Sequence, residues 1–480
     1  LPVAAGRCPA GGETDVAQNV IGDGFVAISA NRSSTGDSLE ETDRVGGDRR
    51  FGERIGRLVV GHGRHPRPLI CGGPSDRSGV GVVRSPSVAP KSKAFIPNAP
   101  DELTPEWITA ALRSAGAQGA VTGLTVEPLS GGGIGMTGQT VRVRLERSAD
   151  ADRIPETVVA KFAASDPQTR GLIEVYDSYA REIRFYQRYA DRMPVRVPTY
   201  FGADYDPGSS GQAGPVMRRF IDALPVGVKI WISKNTVRYM RPSKRRYVLL
   251  IEDMGAFGSV HDLTSPPDDA QVAAALEVFA AIHARFWNDA SLAGDDTFDV
   301  ITTTTPRLLS DVARRRALPL ASDRYGWLGD EERVRLLEAC DRFGDDLACM
   351  NQPVTLVHGD PRTDNLMYTP DGSVILLDWA LAANGHPGWD VGYLLSSCLG
   401  RERIDARDAL VAGYEDALAS HGVAVDGAGL REAIDAAYRV VAVQQLLALS
   451  ILEGTDDMTG AEMADLWLPR LAAGLTHRWA

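Results

Sequence analysis

Cysteine is scarce in this 480-residue chain. Its five cysteines, Cys8, Cys71, Cys340, Cys349 and Cys398, are scattered, with no Cys-x-x-Cys pair and no Cys/His cluster. That pattern excludes a disulfide framework and a clustered zinc site, and it fits a reducing, cytoplasmic setting. No apolar run approaches the roughly 18 residues that a spanning helix needs, so no membrane span is expected. The opening stretch LPVAAGRCPAGG lacks the hydrophobic region of a secretory signal. Positive charge is also short: 51 Lys and Arg face 63 Asp and Glu, for a net charge of −12. A chain this acidic is no general binder of polyanions, and nucleic acid is not an expected partner. Aromatics are thin in one region above all. Residues 1–95 hold Phe25, Phe51 and Phe95 but neither Tyr nor Trp. With so few large apolar groups that segment cannot offset its ordering entropy. It is expected to be a disordered tail or a misassigned start.

The remainder, 96–480, is too long for one small core and suits two lobes. DELTPEWITAALRSAG has an acidic start and apolar residues at helical spacing. LTVEPLS and QTVRVRLE alternate like strands, and TVVAKFAA is a third. Residues 172–192, LIEVYDSYAREIRFYQRYADR, have the period of one amphipathic helix. RRYVLLIEDM is another strand. QVAAALEVFAAIHARFW is a helix, as are much of 331–350, 402–421 and 428–452. Strands with one helix thus precede a mainly helical part that contains a hairpin. This order predicts an α+β chain with a β-rich N-lobe over 96–253 and a larger helical C-lobe over 254–480. A basic, aromatic insert at 208–244 interrupts the first lobe. It is either a solvated surface excursion or a lid that meets an anionic ligand.

Three motifs carry chemistry. In SGGGIGMTGQT, Gly133-Ile-Gly135-Met-Thr-Gly138 matches GxGxxG. A dinucleotide fingerprint needs a helix next, whereas the next segment alternates as a strand. A Gly loop between two antiparallel strands can lay N–H groups over phosphates, with Gly133 and Gly135 as candidates, or it can be a plain hairpin loop. Lys161 stands in an apolar strand, where a cation is costly unless paired. The following helix offers Glu182 beside Tyr179, Ile183 and Tyr186. A Lys161–Glu182 pair would hold the ammonium ready for phosphate oxygens. The alternative is an edge-strand lysine reaching solvent.

The third motif is LVHGDPRTDNLMY, with His358, Asp360, Asp364 and Asn365, followed by SVILLDWA with Asp378. Thr369-Pro370-Asp371-Gly372 between them is a turn sequence, since Pro fixes φ and Gly accepts φ > 0. Closing that hairpin brings Asn365 towards Asp378, with Asp360 on the loop entering it. Oxygen donors with incomplete protein coordination suit Mg2+, which keeps waters and takes phosphate oxygens. Asp360 can then orient a hydroxyl and accept its proton in phosphoryl transfer. The alternative, carboxylates capping turns, is preferred for Asp364 and Asp371.

HGDPRTDN resembles the HGDxxxxN catalytic loop of the aminoglycoside phosphotransferase and choline kinase superfamily. LLDW resembles its metal-binding Asp segment. LTPEWITAAL, REIRFYQRY, VLLIEDM and AAIHARFW are similar to the ecdysteroid-kinase-like (CHK kinase-like) branch. The resemblance covers roughly 97–480. It implies a bilobal protein-kinase-like fold, ATP and Mg2+, and phosphorylation of a small-molecule hydroxyl. It implies that Lys161 binds phosphates, Glu182 positions Lys161, Asp360 is the catalytic base, and Asn365 and Asp378 hold metal. The backbone around Glu252–Met254 would meet the nucleobase at the hinge. The acceptor stays open between a cationic compound such as an aminoglycoside or choline and a sterol-like alcohol. A pseudokinase or nucleotide-binding regulator is the main alternative. A protein kinase is disfavoured by HGD in place of HRD, and a metal-dependent hydrolase leaves the Gly loop and Lys161–Glu182 without a role.

Other residues carry plainer expectations. His283 reads as a satisfied core histidine and His358 as a shaper of its loop. Trp379 and Trp389 read as core. Asp390 reads as a helix N-cap, to which the resemblance adds bracing of the catalytic loop. Arg362 could position phosphate or acceptor, or pair with a surface acid.

Overall fold

The computed structural model describes residues 95–129, 138–175, 177–206, 220, 223–231, 244–293, 295, 306–350, 353–452 and 458–480. The expectations for the N-terminal tail and for Gly133 and Gly135 therefore lie outside the described residues.

Period-two alternation produces the sheet. Strands β1 (Val121–Pro128), β2 (Gly138–Arg147), β3 (Thr157–Ala163), β4 (Tyr200–Tyr205) and β5 (Tyr247–Glu252) pair antiparallel in the order β1-β2-β3-β5-β4. Along β3, Val158, Ala160 and Phe162 share one face. They bury it against Ile108 and Leu112 of helix α1 (Pro105–Ser114). Val159 and Lys161 alternate onto the other face. Helix α1 begins at Thr104, whose hydroxyl accepts the Trp107 N–H at 3.2 Å, with Pro105 in the first turn. Strand β4 was not anticipated. Its six residues, YFGADY, are all half-buried, so it carries no alternation, and pairing with β5 is what makes it a strand.

The single helix expected over 172–192 is two: α2 (Pro167–Val175) and α3 (Ser178–Arg188). They part at Asp177, whose φ is +53°. Aspartate tolerates this left-handed backbone better than most residues. Its carboxylate is also held by Arg184 at 3.2 Å and by the distant Arg245 at 2.7 Å. No local periodicity could foretell that second contact.

The rest is mainly helical: α4 (Asp269–Arg285), α5 (Pro306–Val312), α6 (Leu318–Arg324), α7 (Asp330–Cys349), α8 (Gly388–Cys398), α9 (Arg407–Ser420), α10 (Gly427–Leu452) and α11 (Met458–Thr476). A π-helical turn, Ala313–Ala317, joins α5 to α6. Pro319 follows it and has no N–H to give the carbonyl four residues back, which relaxes the α ladder there. Helix α8 lies tight against α10. A Cβ on Gly388 or Gly392 would come within 2.8 or 2.7 Å of the Cβ atoms of Ala433 or Ala437. Within the described part of the basic insert, residues 226–231 are helical. Lys229 there is buried, with its Nζ 2.8 Å from Asp311 of α5, so this piece packs on the helical part of the chain.

Short strands complete the core: β6 (Ser259–Val260), β7 (Thr355–Val357), β8 (Leu366–Tyr368), β9 (Val374–Leu376) and β10 (Ala383–Gly385). They form two small sheets, β6-β8-β9 and β10-β7. The β8–β9 hairpin turns as its sequence predicts. Thr369 N–H donates to Ser373 O at 3.0 Å, and Gly372 takes φ +85°. Asp371 accepts from the Ser373 N–H at 3.2 Å, the turn-capping role foreseen for it. Among the described residues, no helix is long and apolar enough to cross a membrane.

Candidate active site

Lys161 sits in the middle of the sheet, opposite Thr140 of β2 and Leu249 of β5. Strand parity sends its side chain to the α3 face. Helix α3 turns Glu182 inward with Ile183, Phe185 and Tyr186, all buried. Lys161 Nζ lies 2.7 Å from Glu182 Oε1 and 3.2 Å from Asp378 Oδ1. One ammonium therefore joins the sheet, the helix and the end of the hairpin. Burial opposes its charge, but the two carboxylates outweigh burial and raise the Lys161 pKa. At Asp378 burial is again opposed, here by the Lys161 ammonium, which leaves the carboxyl below its ordinary range. Burial, aided by Asp378 and opposed by Lys161, pushes Glu182 up to about 7.

Asp378 itself has φ +60°. A left-handed aspartate costs of order 1–3 kcal/mol and persists only where its surroundings over-determine it. Those surroundings are visible. Trp379 stacks on Phe185 of α3 with ring centroids 4.0 Å apart, and His358 lies 4.6 Å from the same indole. Arg181, also on α3, donates to the Ala382 carbonyl at 3.0 Å. Helix α3 thus grips the segment after Asp378 by a stack and a hydrogen bond.

The loop bearing Asp360 is held differently. The amides of His358 and Gly359 donate to the two oxygens of Asp390 at 2.7 and 3.0 Å. The indole N–H of Trp389 donates to the Gly359 carbonyl at 3.0 Å. Gly359 has φ +86°, and a Cβ there would meet the Leu381 carbonyl oxygen at 2.0 Å. Asp390 is not the N-cap expected of it: Pro387 holds that place and Asp390 lies in the first turn. It is fully buried, and it also accepts from His283 Nε2 at 3.2 Å. His283 Nδ1 in turn accepts from the Tyr414 hydroxyl at 2.7 Å. His283 is thus the satisfied core histidine that was expected. His358 donates from Nε2 to the Leu377 carbonyl at 2.8 Å and accepts the Asp360 N–H at Nδ1, 3.3 Å away. It ties the loop to the hairpin end.

Asp360 faces Arg362, whose Nε lies 3.1 Å from Oδ1. That oxygen is buried and accepts no hydrogen bond among the described residues. Burial raises the Asp360 pKa, and the Arg362 guanidinium opposes it without prevailing. Arg362 also approaches Asp364 at 3.5 Å and points Nη1 at Met463 Sδ of α11, 3.7 Å away. Its main partner is therefore Asp360 itself rather than an unrelated surface acid. Asn365 donates from Nδ2 to the Asp360 carbonyl at 2.8 Å, and its own carbonyl accepts the Leu377 N–H at 2.8 Å. This commits the amide nitrogen and leaves Oδ1 as the acceptor, with no partner among the described residues.

At the expected hinge, Glu252 turns its carboxylate to Arg196 at 2.7 Å and to Thr199, and its N–H donates to the Thr199 carbonyl at 2.9 Å. The Met254 carbonyl accepts the Phe257 N–H at 2.9 Å. The Met254 N–H is left without a partner among the described residues. Of the two expected hinge residues, Met254 is the one with a backbone donor to offer. Sequence reading missed the bond that steadies this segment, the bidentate pair of Arg142 with Asp253 at 2.5 and 3.0 Å. Arg142 stood out only as one of the charged residues alternating along QTVRVRLE.

The donor set suits a hard cation completed by other ligands. Among the described residues no three His, Cys, Asp or Glu cluster to hold a metal. An amide oxygen at Asn365 and an ionised, partly exposed carboxylate at Asp378 are oxygen donors of the kind Mg2+ takes alongside water and phosphate.

The sequence profile of the phosphotransferase enzyme family (APH) matches residues 156–424, more than half of the chain. The chain belongs to that family. No curated protein matches it. Similar solved structures include macrolide 2'-phosphotransferase from Brachybacterium faecium, at 17% identity, 78% of this chain, 99% of that one and a TM-score of 0.39. The GDP complex of aminoglycoside 2'-phosphotransferase-IIIa is similar at 14% identity, over 74% and 93% of the two chains, with a TM-score of 0.43. Choline kinase from Streptococcus pneumoniae is similar at 12% identity, over 77% and 98%, with a TM-score of 0.38. Membership rests on the family match rather than on these distant likenesses.

Proposed function

We infer that the protein transfers the γ-phosphoryl group of ATP, with Mg2+, to a hydroxyl of a small molecule. The observation that carries this reading is the single ammonium of Lys161 shared by Glu182 and Asp378, beside a braced loop that presents Asp360. In this reading the N-lobe, 96–253, binds the nucleotide and the C-lobe, 254–480, supplies the catalytic hairpin and the acceptor helices. Lys161 holds phosphate oxygens, and Glu182 keeps it aimed. Met254 N–H meets the nucleobase at the hinge, and Gly133 and Gly135 lie over phosphates. Asn365 and Asp378 would hold Mg2+, which when bound neutralises charge on the phosphate oxygens. The Asp360 carboxylate, braced beside Arg362 at 3.1 Å, receives the acceptor hydroxyl and takes its proton as the new P–O bond forms. Its raised pKa makes it a better proton acceptor than an ordinary carboxylate. The motifs shared with the ecdysteroid-kinase-like branch favour a sterol-like alcohol as acceptor, with choline-like and aminoglycoside-like compounds as the other classes to try. The scattered cysteines favour a cytoplasmic setting.

The test is ADP release with Mg2+ and ATP over a panel of sterols, choline, aminoglycosides and sugars, with Asp360→Asn beside the wild type. Acceptor-dependent release that disappears in the variant supports the reading and names the acceptor class. Nucleotide binding with no turnover on any acceptor would favour a nucleotide-binding regulator. Absence of nucleotide binding would sink the proposal.

A further inference from the structure

The basic insert between β4 and β5 has no part in the site described above, and its two fixed points say what it can do. The first is its root. The Asp206 N–H donates to the Arg246 carbonyl at 2.9 Å, and the Asp206 carboxylate accepts the Arg246 N–H at 3.0 Å. Arg245 Nε donates to the Asp206 carbonyl at 3.0 Å, and its Nη1 lies 2.7 Å from Asp177 at the head of α3. The insert thus leaves and rejoins the sheet at one place.

That place is the end of the sheet away from the expected hinge. Val248, near the start of β5, pairs with Phe162 at the end of β3, and Ala163 pairs with Gly138 at the start of β2. Glu252 stands at the opposite end of β5. The rings of Tyr247 and Tyr179 lie 5.1 Å apart, and a Cβ on Gly138 would come within 3.5 Å of the Tyr179 ring. The root therefore neighbours the end of the Gly-rich loop, which the phosphotransfer reading places over phosphates.

The second fixed point is a foot, residues 226–231. A helix of one or two turns does not persist by itself in water, so docking holds it. Lys229 is 4% exposed and lies 2.8 Å from Asp311 of α5, and Ile230 packs on the main apolar core. Helix α5 leads through the π-helical turn to α6. At the end of α6, Arg324 and Tyr325 reach Asp465 of α11 at 2.8 and 2.6 Å. Met463, two residues earlier on α11, is the neighbour of Arg362 and through it of Asp360. The foot thus stands on the helices that flank the catalytic loop.

We propose that the insert is a strap across the cleft on the side opposite the hinge, latched by Lys229 on Asp311, and that it keeps bulk water from the γ-phosphoryl group. This role rests on the phosphotransfer reading, whereas the latch does not. With the strap released, water competes with the acceptor hydroxyl. Its oxygen forms the new bond to phosphorus, the bond to ADP breaks, and Asp360 takes the proton, so that inorganic phosphate leaves.

The test uses the full chain, Mg2+ and ATP with no acceptor added. Lys229→Glu sets two carboxylates face to face, and Lys229→Glu with Asp311→Lys restores an opposite pair. Hydrogen exchange read by mass spectrometry should be about tenfold faster or more over 226–231 in the single variant and return towards wild type in the double one. Phosphate release should rise about threefold or more in the single variant, with ATP affinity by calorimetry within about threefold of wild type, and should fall again in the double one. Lys229→Met, which keeps the stem without the charge, gives a milder version of both changes and serves if the charge reversal disturbs folding. Unchanged exchange over 226–231 in Lys229→Glu would overturn the latch. Faster exchange with unchanged or lower phosphate release, in a protein that binds ATP, would overturn the strap's role. A wild type that binds no ATP would instead sink the phosphotransfer reading, and the role with it, whatever the exchange shows.

Discussion

Asp378 and Asp360 stand close to one end of the β8–β9 hairpin, and their surroundings push them in opposite directions. Asp378 lies against Lys161 at 3.2 Å, and its carboxyl is held below the ordinary range. Asp360 has a cation just as near, Arg362 at 3.1 Å, and yet burial keeps its pKa raised. The difference lies in how each region is built. The Lys161 region is held by charge: a single ammonium faces two carboxylates. The Asp360 loop is held by directed hydrogen bonds from neutral backbone groups to Asp390, so its geometry does not depend on the charge of Asp360. Two carboxylates of one type can thus be set to different tasks, one to stay ionised and one to accept a proton.

The comparison can be broken first at the brace. Asp390→Ala leaves two buried amides and the His283 imidazole without their acceptor. Leaving such groups unpaired should cost about 3–5 kcal/mol, read as a lower urea midpoint. A loss under about 1 kcal/mol would mean that the loop keeps its shape without Asp390. On the other side, Lys161→Met should lower turnover roughly 10²–10³-fold by removing the cation aimed at developing phosphate charge. Lys161→Arg should not restore it, because a planar fork does not replace a compact ammonium. Full turnover in Lys161→Met would remove the charge-held side of the comparison.

A pH effect of intermediate size belongs to His386, just ahead of the brace helix α8. It is 4% exposed, and its Nδ1 accepts the Gly388 N–H at 3.0 Å. Burial lowers its pKa to about 4, from 6.5 for a free histidine. Between those values the unfolded chain binds more protons than the folded one. The stability it contributes is therefore present above pH 6.5 and is lost as pH falls towards 4, by up to about 3 kcal/mol. Urea midpoints of wild type and His386→Gln over that range test it, with the variant expected to lose less. The smallest effect is the sharpest on the comparison itself. Asp378→Asn should lower the midpoint at neutral pH, because an ionised form favoured by the fold is removed. Asp360→Asn should hold or raise it, because the neutral form is the one that burial favours. Movement of both midpoints in the same direction would contradict the division.

Much of this arrangement is legible where local pattern decides it. The cost of a cation within an apolar strand pointed Lys161 to Glu182 of the next helix, 2.7 Å away, and the Thr-Pro-Asp-Gly turn set the hairpin that carries Asn365 and Asp378. What could not be read depends on partners far along the chain. Arg142 meets Asp253 across 111 residues, and Arg181 meets Ala382 across 201. At the helix break Asp177 meets Arg245 across 68 residues, and β4 is a strand through its pairing with β5. Asp390 looked like a helix cap because its donors, His358, Gly359 and His283, are brought to it only by the fold.

The central claim is that Asp378 serves nucleotide and metal while Asp360 serves only the transferred proton. Magnesium-dependent ATP affinity, measured by titration calorimetry for Asp378→Asn and Asp360→Asn side by side, tests it most directly. The account predicts at least a tenfold loss for Asp378→Asn and a change within about threefold for Asp360→Asn. Equal losses in the two variants, or the larger loss in Asp360→Asn, would contradict it.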